Sequence, residues 1–372
     1  MDFGFSEEQR QLTDTLQRFL RRDYGFEQRR AILASPAGWS RAAWSALAEL
    51  GVLAINVPEA HGGLGYGPVE TMLVMNAIGA GLVVEPYLAS AVIATTLLAE
   101  LADESIKDEL LPQLASGEAI AALAHFEPES RFDAGRIAAT ASAGGDGYLL
   151  SGHKAVVEGA AASDFLLVSA RTRDHIALFL LGRDTPGLSL RDYPTVDGRR
   201  AAEVRLANVY APATVRLGQD AMPAIARALD VGLAALCAEA VGAMSALQDA
   251  TVDYLKTRQQ FGQPLARFQA LQHRAAEMLL HLEQARSISY LATLRCTAED
   301  ERERRRALAA AKVVIGRACR FIGQNAVQLH GGMGMSDELA VSHWFKRLTA
   351  IELDMGDTDT HLQRFIAITG EG

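Results

Sequence analysis

Apolar residues recur at three- and four-residue spacing from position 6 to about 118. Leu12, Leu16, Phe19 and Leu20 mark one face of a first helix behind Ser6-Glu7-Glu8, which reads as a capped start. One interruption is predicted, at Val57-Pro58-Glu59-Ala60-His61-Gly62-Gly63-Leu64-Gly65-Tyr66-Gly67-Pro68, where four glycines and two prolines preclude a continuing helix. That loop reads as an ordinary interhelical connection or as backbone lining a ligand pocket. Between 119 and about 216 the pattern changes to short runs, Tyr148-Leu149-Leu150, Phe165-Leu166-Leu167-Val168 and Ile176-Ala177-Leu178-Phe179-Leu180-Leu181, separated by Gly, Asp and Pro clusters. These predict strands of a β domain. After Ala221 the helical period returns through 224–258, 268–295 and 301–329. The expected order is a helical N-terminal domain over 1–118, a β domain over 119–220 and a C-terminal helical bundle over 221–372.

Composition narrows this picture. A chain of 372 residues buries a large core without staples, and 49% hydrophobic against 6% aromatic residues describes an Ala/Leu-rich globular protein, not a disordered or fibrous one. Lys plus Arg (36) against Asp plus Glu (45) gives a net charge of −9, which argues against a general grip on nucleic acid or anionic membrane. The run Glu301-Arg302-Glu303-Arg304-Arg305-Arg306 reads as a solvated helix start. The three cysteines, Cys237, Cys296 and Cys319, form no CxxC, so neither a disulfide framework nor a zinc site is expected, and a reducing compartment fits. The first residues lack a basic and apolar leader, and no apolar run approaches the ~18 residues that span a bilayer. A soluble cytoplasmic protein is the expectation.

Two segments stand out chemically. In Asp253-Tyr254-Leu255-Lys256-Thr257-Arg258-Gln259-Gln260-Phe261-Gly262-Gln263-Pro264-Leu265 a helix is stopped by Gly262 and Pro264, and another restarts near Phe268-Gln269. Arg258 reads either as a cation at the negative end of a helix or as a guanidinium fork for a diphosphate. In Ala326-Val327-Gln328-Leu329-His330-Gly331-Gly332-Met333-Gly334-Met335, three glycines within four positions exceed what a helix C-cap requires and leave main-chain amides open to a ligand. His330 alone reads as a packed or capping histidine.

The segments "PEAHGGLG", "RQQFGQPLARFQALQ" and "AVQLHGGMG" together resemble the acyl-CoA dehydrogenase family, and the resemblance spans essentially the whole chain. It implies a mainly α fold with a middle β-barrel and a C-terminal four-helix bundle. FAD would be held between barrel and bundle and across a subunit interface. Arg258, Phe261, Gln328, Gly331 and Gly332 match the family's residues for the diphosphate and adenine half of FAD, with Gln269 a further candidate. The implied reaction is α,β-dehydrogenation of an acyl-CoA: a carboxylate removes the α-proton, the flavin N5 accepts the β-hydride, and the thioester oxygen is held by hydrogen bonds.

The sequence departs from the family in places. Phe126-Glu127-Pro128-Glu129-Ser130-Arg131-Phe132-Asp133 stands where the family has "TEPGAGSD", putting Phe126 and Phe132 at hydroxyl positions that touch the flavin. Lys154-Ala155-Val156-Val157-Glu158-Gly159 stands for "KxWITN", with Val156 for the Trp and Glu158 for the Thr. The usual C-terminal catalytic Glu falls on Met355 by ungapped counting from Gln328. Counting back from Leu362-Gln363-Arg364, with two extra loop residues, it falls on Asp357. A second location used by some members falls near Gly232, with Asp230 two residues earlier. Asp357 is the candidate base, Asp354 or Asp230 the lesser ones, and a chain without its own base stays open. Without catalysis these aspartates are loop residues, and Asp359 or Thr358 would cap the helix running from His361. Glu239, on an apolar helix stretch, requires a partner or a function if buried.

"VVEPYL", "AEAVGAM" and "GDTDTH" resemble the smaller subunits of two-component acyl-CoA dehydrogenases of dicarboxylate or sterol side-chain breakdown. This implies a homo-oligomer or an α2β2 heterotetramer with a related larger subunit, and electron-transfer flavoprotein or a similar acceptor for the electrons. Two rivals remain: a non-catalytic subunit completing a partner's site, and another flavin reaction on the same fold, such as monooxygenation or nitroalkane oxidation.

Overall fold

A computed structural model describes residues 4–370. The N-terminal helices are α1 (Glu7–Asp23), α2 (Phe26–Ala34), α3 (Arg41–Glu49), α4 (Pro68–Gly81), α5 (Thr95–Leu101), entered through a π-helical stretch Leu88–Ala94, and α6 (Glu104–Ala115). Ser6 caps α1 in a reciprocal box with Gln9. The helical texture is broken more often than the single expected interruption, because Gly25, Pro36, Gly51 and Pro86 each sit between helices. The eight strands of the middle sheet are β1 (Ala121–Ala124), β2 (Thr140–Gly144), β3 (Gly147–Glu158), β4 (Phe165–Arg171), β5 (Ile176–Gly182), β6 (Leu188–Pro194), β7 (Arg200–Pro212) and β8 (Arg216–Leu217).

The sheet runs β6-β7-β3-β2-β4-β5-β8, with β1 parallel to β4 at one side. The barrel implied by the resemblance is here an open sheet: among the described residues no pairing joins β6 to β8. β2 meets β4 through Thr140 and Arg171 only. Its inner positions are apolar, as in β4 and β5, where Leu166 to Val168 and Ala177 to Phe179 are fully buried.

The C-terminal helices are α7 (Met222–Thr257), α8 (Gln269–Arg295), α9 (Glu301–His330), α10 (Ala340–Leu353) and α11 (Thr358–Gly370). α9 packs against α8, α10 and α11. Between α7 and α8 lies a small hairpin, β9 (Gln259–Gln260) and β10 (Gln263–Pro264).

The chain forms two compact units. One takes the residues up to Arg30, Pro68–Val83 and those from Leu233 onward; the other takes Ala31–Gly67 and Val84–Gly232. In the first, α4 and α7 touch backbone to backbone. A Cβ on Gly79 would lie 2.0 Å from the Glu239 carbonyl oxygen, and one on Gly242 would lie 1.8 Å from that of Asn76. Two glycines therefore set this helix crossing. Glu239, on the same stretch of α7, is buried and takes two hydrogen bonds from Arg347, at 2.7 and 2.9 Å. The partner its burial required is thus an α10 guanidinium. The three cysteines are buried and unbridged. No helix of the described residues is long and apolar enough to cross a membrane.

Candidate functional site

The helical unit brings together the two segments singled out by chemistry. Tyr254, in the last turn of α7, stacks on His330, the last residue of α9, with ring centroids 4.4 Å apart and planes 27° from parallel. The Tyr254 hydroxyl donates to the His330 carbonyl oxygen at 3.4 Å. His330 also donates from Nδ1 to the Ala326 carbonyl at 2.8 Å, so it is a packed histidine. Burial holds its pKa below the usual value, leaving it neutral.

Past Tyr254 the helix ends at Thr257, and Arg258 donates its amide to the Tyr254 carbonyl. Its exposed guanidinium makes no ion pair with a described residue. Phe261 turns the hairpin with φ +55° and is 90% exposed, a conformation and exposure that an apolar L-residue adopts at a cost. Its ring meets Phe268 edge-on at 6.1 Å, which places Gln269, the exposed first residue of α8, beside the hairpin.

Past His330, Gly331 has φ +61°, and a Cβ on it or on Gly332 would meet nothing within 4 Å. Gln328 is exposed one turn earlier, and its carbonyl accepts the Gly331 amide. Main chain unshielded by side chains, a guanidinium and an aromatic ring at the ends of helices joined by the Tyr254–His330 stack suit a diphosphate-linked nucleotide.

Asp357 lies elsewhere in this unit, as the N-cap of α11. Its Oδ1 accepts the Thr360 amide at 2.8 Å and the residue is half-buried. The capping role expected of Asp359 or Thr358 therefore falls on Asp357. Just before it the backbone is left-handed at Met355 (φ +55°) and Gly356 (φ +111°). Thr358 instead donates its hydroxyl to buried Glu352 at 2.8 Å. Asp354 follows α10, and half-buried Asp230 lies on α7.

The sheet unit joins the two segments that depart from the family pattern. The Phe126 carbonyl accepts the Ala155 amide at 2.9 Å. Val156, 59% exposed with φ +52°, sits where the β3–β7 register shifts, so a β-branched residue occupies strained backbone.

Beneath them Lys154 is fully buried and donates to Glu127 at 2.7 Å, to the His125 carbonyl at 3.1 Å and to Ser169 Oγ at 3.1 Å. Burial lowers its pKa to about 8 against the pull of Glu127. Burial would raise the Glu127 carboxyl, but the Lys154 hydrogen bond and charge and the Ala139 and Ala138 amides hold it below the usual range. This pair ties the 126–139 loop to the sheet.

The roles of Tyr254, Lys154 and Lys312 are not read from the sequence. The signal was there for Lys312, a lone cation in the apolar stretch Ala307 to Ile315.

Three family descriptions match the chain: "Acyl-CoA dehydrogenase, N-terminal domain" over residues 6–118, "middle domain" over 122–209 and "C-terminal domain" over 222–367. Among curated relatives, a probable acyl-CoA dehydrogenase, YngJ, of Bacillus subtilis is 29% identical over 86% of this chain and 87% of that protein. Mitochondrial isovaleryl-CoA dehydrogenase of Pongo abelii is 28% identical over 96% and 87%. Among solved structures, a Tcur3481-Tcur3483 steroid ACAD variant superposes with TM-score 0.90 at 29% identity, over 98% of each chain. PigA with FAD and proline does so with TM-score 0.90 at 26% identity, over 100% of each.

Proposed function

The chain belongs to the acyl-CoA dehydrogenase family, and from that premise we propose that it oxidises the Cα–Cβ bond of an acyl-CoA thioester with FAD as electron acceptor. The observation that supports this reading is the Tyr254–His330 stack, which joins the helix end that leads into Arg258 to the helix end that leads into Gly331 and Gly332. Arg258 binds the diphosphate charge, the side-chain-free Gly331 and Gly332 let it approach the main chain, and Phe261 with Gln269 and Gln328 covers the adenine half. Phe126, at the loop above the Lys154–Glu127 pair, borders the ring position. Bound FAD supplies the hydride acceptor for the substrate's β-carbon. Asp357 removes the α-proton through its carboxylate, and α11 holds that carboxylate in place through the Thr360 amide. PigA with FAD, 26% identical over the full length, supports the cofactor, and the relatives named for acyl-CoA substrates support the reaction.

The solvent-exposed hairpin at Phe261 supports contact with a neighbouring subunit, in a homo-oligomer or in an α2β2 assembly with a larger related chain. Electron-transfer flavoprotein or a similar protein would then reoxidise the flavin, in the cytoplasm. The domain limits 1–118, 119–220 and 221–372 belong to the same proposal.

A second reading has one observation in its favour. Asp357 is already employed as a helix cap, as in a subunit that completes a partner's site without proton abstraction. The two are separated by anaerobic reduction of the FAD-loaded protein with acyl-CoA. Asp357→Asn is expected to slow flavin bleaching by roughly 10²-fold or more while leaving FAD content unchanged. Bleaching at the parental rate would remove Asp357 as the base.

A further inference from the structure

Lys312, Gly316 and Arg320 stand at four-residue steps on one face of α9, the helix against which α10 and α11 pack. Lys312 meets the connection between those helices, and Gly316 and Arg320 meet the residues that flank it, Thr358 and Glu352. Lys312 is fully buried and donates to the carbonyl oxygens of Glu352, Asp354 and Gly356, at 3.0, 2.8 and 2.5 Å. An ammonium has three protons, and here each has a main-chain acceptor. At Gly316 a Cβ would lie 2.5 Å from Thr358 Oγ1, so this glycine leaves the room in which Thr358 reaches Glu352. Arg320 closes the other side on Glu352 at 3.1 Å, but it is 62% exposed and adds little. The clasped segment contains the left-handed residues Met355 and Gly356 and ends on Asp357. Left-handed backbone at Met355 persists only where its surroundings hold it, and three hydrogen bonds from one buried cation do so.

We infer that the Lys312–Gly316 face of α9 is a positioning device that fixes the connection 353–357 and thereby the placement of the Asp357 carboxylate. It rests on Asp357 acting as the base. An Asp is one methylene shorter than a Glu, so its backbone must be delivered to one place with less side-chain reach to spare. A proton transfer loses rate steeply when donor and acceptor are displaced by about 1 Å.

The test uses the FAD-loaded protein, with its co-purifying partner where there is one, and three variants: Lys312→Met, Gly316→Ala and Asp357→Asn. Two quantities are read: hydrogen exchange of peptides spanning 353–361, and the rate of anaerobic flavin reduction at saturating acyl-CoA. Lys312→Met and Gly316→Ala are expected to exchange faster across 353–361 and to reduce flavin roughly tenfold to a hundredfold more slowly, with FAD content and acyl-CoA affinity unchanged. Gly316→Ala adds one methyl and guards against Lys312→Met failing to fold. Faster exchange with parental reduction would overturn the inference, as would parental exchange in both variants. Asp357→Asn keeps slow exchange and loses reduction if the base reading holds. Parental reduction in that variant removes the base itself, a failure distinct from a loose clasp.

Discussion

Charge is buried in this molecule only where it is answered. The side chains of Glu239 and Arg347 are 1% and 3% exposed and meet through two parallel hydrogen bonds. Removing one member leaves the other uncompensated, so Arg347→Met is expected to cost about 3–5 kcal/mol in chemical denaturation. An unchanged midpoint would show that the pair is not buried in solution. Glu239 was legible as a residue in need of a partner, but a partner 108 positions away is set by helix packing and leaves no local trace. Burial holds four histidines below the usual pKa, His125, His330, His343 and His361, and His125 and His361 are shifted furthest. His125 donates to the Ala134 carbonyl and accepts from Ser169, and burial, aided by the Lys154 charge, lowers its pKa to about 3. Burial and the Arg364 charge do the same to His361, which donates to the Met355 carbonyl. Folded pKa values below the unfolded 6.5 mean that the stabilisation is complete above about pH 6.5 and is lost as pH falls toward 3. Urea denaturation is expected to show lower stability at pH 5.5 than at pH 7, and His361→Gln to remove about 1 kcal/mol of that difference. A difference unaltered in the variant would contradict the assignment.

The helices follow from their apolar period, but their contacts depend on smaller features. The α4–α7 crossing exists because Gly79 and Gly242 carry no Cβ where carbonyl oxygens approach. Gly79→Ala must push the Glu239 carbonyl away, and is expected to lower stability by about 1–3 kcal/mol or more, read as a fall in Tm. Parental Tm would mean that the helices stand farther apart. β3, β4 and β5 were legible because their runs are strongly apolar. β7 was not singled out: three of its six buried residues are alanines, and the spacing of the six, with Ala201 and Ala202 adjacent and two positions between Leu206 and Val209, breaks the period of two. Hairpin strands of two residues carry no period, so β9 and β10 were read only as a break. Sheet closure is a matter of which distant edges meet, and no window of sequence states it.

For the whole chain, the order of three glycine-bearing segments carried the family assignment, and family descriptions now match residues 6–118, 122–209 and 222–367. The residues proposed for the diphosphate, side-chain-free glycines and a helix-end arginine, are local features that a sequence displays directly. The proposed base, Asp357, was reached only by counting along the chain, since its place depends on how a connection is bent, and Lys312 on another helix donates to three carbonyls around that bend. The most direct measurement is an anaerobic titration of the purified, fully assembled, FAD-loaded protein with saturated acyl-CoA thioesters of increasing size. The account predicts that at least one thioester bleaches the flavin and appears as its 2-enoyl product, one equivalent per flavin reduced. Flavin that keeps its colour at saturating concentrations of every thioester, or an assembled protein that takes up no FAD, would contradict it.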